Sequence, residues 1–244
     1  MEKKILWCIL MTASLNVFAA ESWRDRLPSW LLALRDAVYE QKMGTEAVYS
    51  VYSTAKSRAE TELSGVEKLN ALSLCEYFMG RTYQYYKQDS RALSSYEGGL
   101  ALAERSLKEK ETSDGWVLRS NNLAQIITLK NWTYAMAHGL DVAKFAENAL
   151  KINSRNATAR YIIASRWVYA PQPFHDIPKG ISLMKEIISG NYELQKDDLF
   201  NVYSSLAYAY LRDKNKTEAR TWIEKALTIY PSNKYVSQEL KSQL

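Results

Sequence analysis

At 244 residues the chain can bury a sizeable core in one or two domains. Only 9 glycines and 5 prolines interrupt its long Ala-, Leu- and Tyr-rich stretches, so an all-α class is expected. The net charge is +5 with both signs interspersed, which excludes a clustered nucleic-acid footprint.

Residues 1–20 open with Lys3 and Lys4, continue as an apolar run from Ile5 to Phe18, and end in Ala19 and Ala20. This is the layout of a cleavable secretory signal peptide. The run is short for a membrane span, and Thr12, Ser14 and Asn16 weaken it. Residues 21–244 are therefore expected as one exported domain without a membrane span, in a bacterial periplasm. Cleavage removes Cys8 and leaves Cys75, so neither an internal disulfide nor a cysteine metal cluster is expected. Cys75 lies in an apolar helical run, Asn70–Gly80, and reads as a small buried hydrophobe.

Helical periodicity then recurs in pairs. In 29–63, Trp30, Leu31, Leu34 and Val38 form one stripe, Met43–Gly44 breaks it, and Ala47, Val51 and Ala55 form a second. Next come helices over Val66–Lys87 and Ser90–Glu109, with Gly80 and Ala92 twelve residues apart and Tyr83, Tyr96 and Gly99 beside them. Ser113 or Asp114 is expected to cap the following helix. Over 116–153, Leu123, Ala124 and Ile127 suit one helix and Val142, Ala146 and Ala149 another. The first of these is expected to run on through Lys130 and stop at Gly139. Over 157–190, Ala164 and Trp167 precede a loop holding Pro171 and Pro173; Asp176 and Pro178 then start a helix carrying Gly180, Met184 and Ile187.

The stretch 200–233 is the plainest. Tyr203, Leu206, Ala207 and Tyr210 share one helical face, and Ala219, Ile223 and Ala226 share the next, which Pro231 ends. Asn215 and Glu218 read as a capping pair between them. Beyond Pro231, Val236, Leu240 and Leu244 are spaced for a last one-faced helix. Asn131, Asn156 and Asn215 each stand in an Asn-x-Thr tripeptide, the N-glycosylation acceptor pattern, which matters only in a eukaryotic secretory host.

Ala207 and Ala219 have the separation of Gly80 and Ala92, so the segments 200–233 and 73–106 resemble the tetratricopeptide (TPR) repeat. The segments 29–63, 116–153 and 157–190 resemble divergent copies. That resemblance implies a right-handed α-solenoid of antiparallel hairpins, about ten or eleven helices with a C-terminal capping helix. It also implies a non-enzymatic scaffold whose inner wall binds a protein or peptide of the cell envelope. Aligned to the family, the wall residues are Tyr77, Arg81, Gln84 and Tyr85; Asn121, Gln125 and Thr128; and Asn201, Ser204, Tyr208 and Arg212.

Lys144–Ile188 is also similar in layout to the TPR-type subunit of TRAP transporters, which implies an alternative, a solute-handling subunit with a site near Trp132 or Trp167. No catalytic constellation, cofactor motif or metal-ligand set is present. His175–Asp176 is an isolated dyad beside a proline loop, and an enzyme is the third and weakest reading.

Overall fold

Among the described residues ten α-helices alternate with short turns, and there is no strand. The structure, a computed structural model, describes residues 23–192 and 194–244; the expected signal peptide at 1–20 lies outside them. A 3-10 turn, Trp23–Arg26, leads into α1 (Ser29–Glu40), α2 (Thr45–Glu62), α3 (Gly65–Tyr85), α4 (Asp89–Glu109) and α5 (Ser113–Leu129). Then follow α6 (Trp132–Ile152), α7 (Ala157–Tyr169), α8 (Ile177–Ser189), α9 (Lys196–Arg212) and α10 (Lys216–Ile229). A wide-turned helix, Tyr235–Leu240, and a last 3-10 turn close the chain, burying Val236 and Leu240 against the final hairpin.

Side-chain caps set several of the helix starts. Asn131, Asn156 and Asn215 accept hydrogen bonds from the amides of Tyr134, Ala159 and Glu218 at 3.0, 3.0 and 3.1 Å. The three Asn-x-Thr tripeptides are thus helix caps. Asp176 caps α8 in the same way, as expected. The capping box expected at Asn215 is only half formed: the Glu218 carboxylate accepts from Trp222 Nε1 instead. Thr112, rather than Ser113 or Asp114, caps α5. Ser113 donates to the Ala149 carbonyl and Asp114 accepts from the Trp23 amide, so both are used in tertiary contacts.

The hairpins stack so that α1, α3, α5, α7 and α9 touch one another in sequence as an inner layer, with the even-numbered helices outside. Small residues sit where helices approach. A Cβ added to Gly80 would lie 2.6 Å from the Tyr96 ring, and one at Gly180 would lie 2.6 Å from Val168. Ala92, Ala207 and Ala219 are fully buried, as close packing of paired helices requires. Trp30, Leu31, Leu34 and Val38 are buried together, whereas the α2 stripe is Val48, Tyr52, Ala55 and Ala59, one position on from the expected start at Ala47. Cys75 is buried, and burial pushes its thiol up to about 12.

The α5–α6 boundary departs from expectation. The first helix stops at Leu129, and Trp132–Asp141 forms the opening turns of α6, with Gly139 inside the helix and open space around it. The Asn131 cap offsets the cost of an internal glycine, roughly 1 kcal/mol each. None of residues 132–142 is fully buried: Tyr134 and Val142 pack against the core, while Trp132, Met136 and Leu140 are exposed along one stripe.

Candidate functional site

The inner layer carries two clusters of polar side chains, one gathered around Arg24 and one around Tyr39. The Arg24 guanidinium lies between α7 and α9. It donates to Thr158 Oγ1 and pairs with Asp197 at 2.6 Å and Asp198 at 3.3 Å. Arg35 joins from α1, reaching Asp36 at 2.9 Å and Asp197 at 3.7 Å. Arg24, Arg35, Asp114, Asp197 and Asp198 are all buried. Burial holds the Asp198 carboxyl above its ordinary value, partly offset by the Arg24 charge. Burial works against the Arg24 charge as well, but Asp198, Asp197 and Asp114 outweigh it and raise its pKa.

The second cluster is built of tyrosines around Tyr39, near the C-terminus of α1. The Tyr39 ring stacks on Tyr230 at 5.2 Å and meets Phe200 and Phe78 edge-on at 5.5 and 6.4 Å. Its hydroxyl accepts from Arg81 Nη1 and from Asn201 Nδ2, each at 2.9 Å. The first and last hairpins therefore meet. Asn233 Nδ2 donates to the Tyr39 carbonyl, Tyr230 donates to Asp36, and Ser232 donates to Glu40.

Several of the wall residues expected from sequence converge here. Tyr77 is buried and its hydroxyl accepts from Arg81 at 3.3 Å, so Tyr77, Arg81 and Asn201 share one cluster through Tyr39. Gln84 bridges to α5, donating to Thr128 and accepting from Tyr96. Ser204 is buried and donates to the carbonyl of Asn201 in its own helix. Tyr208 stacks on Tyr169 at 5.0 Å, and exposed Arg212 donates to the Val168 carbonyl. Tyr85, Asn121 and Gln125 are half-exposed, with the Tyr85 ring edge-on to Tyr86. The sequence reading missed Tyr39, Tyr161, Tyr169 and Ser205. The hydroxyls of Tyr161 and Tyr169 meet that of Ser205 at 3.0 and 2.9 Å. The only signal for these tyrosines is the abundance of the residue, 17 in the chain.

No protein-family model matches the chain, and no curated protein does either. Among solved structures it is similar to TTC0263, a thermophilic TPR protein of Thermus thermophilus. That match has a TM-score of 0.55 and 16% identity over 88% of this chain and 97% of that one. The fold is that of a TPR solenoid. A second TPR structure, YrrB, described as having an unusual peptide-binding site, aligns with a TM-score of 0.39 and 12% identity, covering 91% of this chain and 100% of that one. In the TPR frame, α1, α3, α5, α7 and α9 are the first helices of five repeats, and Tyr39, Arg81 and Asn201 lie on three of them.

Among the described residues no group of three His, Cys, Asp or Glu is placed to hold a metal ion. Asp176 is occupied in capping α8, and His138 lies 3.4 Å from Asp141 on the exposed part of α6, far along the chain from His175. Trp132, expected beside a buried solute site, is 58% exposed. No helix among the described residues is long and apolar enough to cross a membrane.

Proposed function

We propose that the protein is an exported, non-catalytic TPR scaffold that binds a protein or peptide partner in the cell envelope through its inner wall. What carries this reading is the wall itself: half-exposed Tyr85, Asn121, Gln125 and Tyr208 and exposed Arg212 stand on α3, α5 and α9, three inner helices of a TPR stack. Amide side chains of this kind bond to a partner's backbone, while Tyr and Arg act as anchors. Export follows from the basic start, apolar run and paired alanines of residues 1–20.

The solute-handling alternative has no separate support. Lys144–Ile188 folds as the end of α6 and an α7–α8 hairpin stacked like the others, and Trp132 faces solvent. Co-purification from the periplasmic fraction of the native host tests the scaffold reading. A discrete partner is expected with the wild-type protein and lost with Tyr208→Ala combined with Arg212→Ala. Recovery of the same partner by both proteins sinks the assigned face.

A further inference from the structure

We propose that the opening turns of α6 are a pairing face for a second copy of this chain, helix against antiparallel helix, about a twofold axis at Met136. Trp132, Met136 and Leu140 are 58%, 50% and 68% exposed. They follow one another at four-residue spacing, so they form one stripe over successive turns of the helix. Contiguous exposed apolar side chains of this size mark an interaction surface, whereas single ones do not. Gly139 lies within the same turns, and a Cβ added to it would meet nothing within 4 Å. Packing inside the molecule therefore asks for no glycine there, and its bare backbone leaves room for a neighbouring helix to come close.

The charges beside the stripe select the partner. Lys130 stands just before it, 2.8 Å from Glu97 and 5.7 Å from the Tyr134 ring centroid. Asp141 stands just after it, 3.4 Å from His138, whose ring lies 4.3 Å from that of Tyr134. Lys130, Tyr134, His138 and Asp141 thus follow one flank of the stripe. A twofold axis across two antiparallel helices brings each flank against the same flank of the other copy and reverses its direction. Trp132 and Leu140 each stand one turn from Met136, and Lys130 and Asp141 stand two residues and one residue further out. An inverted copy therefore sets Trp132 against Leu140 and Lys130 against Asp141, each of them twice. A lipid surface or a nucleic acid presents one sign of charge and would gain at one end of the stripe what it loses at the other. Lys144 and Glu147, further along the exposed face, are likewise of both signs. Three side chains cover less than the roughly 800 Å² per partner of a stable dimer, so the pair is weak. Because α6 belongs to the outer layer, pairing leaves both inner walls open, and it holds whatever those walls bind.

Sedimentation equilibrium of the purified protein over about 1–300 μM tests this. A monomer–dimer equilibrium is expected, with a Kd on the order of 10–100 μM. Met136→Glu sets two carboxylates face to face on the axis and is expected to weaken it by about ten-fold or more. Leu140→Glu is expected to act in the same direction, and helical circular dichroism checks that both exposed substitutions leave the fold intact. Lys130→Glu and Asp141→Lys are each expected to weaken self-association, and their equimolar mixture to regain it, because the mixed pair has opposite charges at both ends. In a Cys8→Ser background, Met136→Cys is expected to give a disulfide-linked dimer under mild oxidation, since Cys75 is buried and does not compete. Trp132→Cys is expected not to, its two copies lying about 12 Å apart along the axis. A monomer throughout the concentration range overturns the proposal, as does a dimer that survives both glutamate substitutions. A mixture that regains nothing, or Trp132→Cys linking as readily as Met136→Cys, overturns the antiparallel register. Binding to phosphatidylglycerol vesicles that needs Trp132 and Met136, by a protein monomeric in solution, gives the stripe to a lipid surface instead.

Discussion

Arg24 and Arg81 are both set into the inner layer, yet their surroundings are opposite. Arg24 is flanked by Asp197, Asp198 and Thr158 and ties the entering chain to the starts of α7 and α9. Arg81 has two phenol oxygens and an aromatic face. A buried charge with its counter-charges in place holds structure together, and removing one partner strands the others at high cost. A half-buried charge without them adds little to the fold and can weigh on it.

Substitutions at the two positions should therefore separate by sign. Arg24→Met strands Asp197 and Asp198 and is expected to cost about 3–5 kcal/mol in chemical denaturation, the largest effect in the set. A loss under about 1 kcal/mol would erase the contrast. Tyr39→Phe removes the acceptor shared by Arg81 and Asn201 and should cost about 1–2 kcal/mol; Asn201→Ala on that background should then cost less than it does alone. Arg81→Met should leave stability level or raise it by up to about 1 kcal/mol.

The smallest effect concerns pH. Burial raises the pKa of Asp36, but hydrogen bonds from Arg35 and Tyr230 and the nearby charges of Arg35 and Lys196 outweigh it and hold the carboxyl below its ordinary 3.8. A group depressed in the folded state contributes stability above its unfolded pKa and loses it as pH falls through the folded value. The stability gap between wild type and Asp36→Asn, under about 1 kcal/mol for this half-exposed carboxylate, should close below pH 3.8. A gap that stays constant through that range would place the contribution of Asp36 outside its charge.

The two arginines also mark where the sequence can be read and where it cannot. Local rules recover the hairpins: Gly80 and Tyr96, or Ala207 and Ala219, are nearby in the chain and repeat at one spacing, which marks a TPR stack. The convergence of Tyr77, Arg81 and Asn201 is legible for the same reason, since they occupy a fixed register on their helices. The α5–α6 boundary misleads because Gly139 looks like a stop while Asn131 looks like an ordinary polar residue, and the cap prevails. Arg24 and Asp197, or Tyr39 and Tyr230, are separated by most of the chain. In a stack read hairpin by hairpin each unit touches only its neighbours, so nothing in the pattern announces a contact between the first unit and the last. Arg and Asp near helix starts are common surface residues, and composition carries no hint that these are buried.

The contact between Tyr39 and Tyr230 limits how this protein can change its length. An open array gains or loses a hairpin at its end with little consequence for the rest. Here excising one unit would shift Asn233 and Tyr230 away from the carbonyl and ring they hold on α1. Inserting one would part the same surfaces from the other side. The molecule thus fixes its own count of repeats through a junction between beginning and end, much as the last stave fixes the girth of a cask.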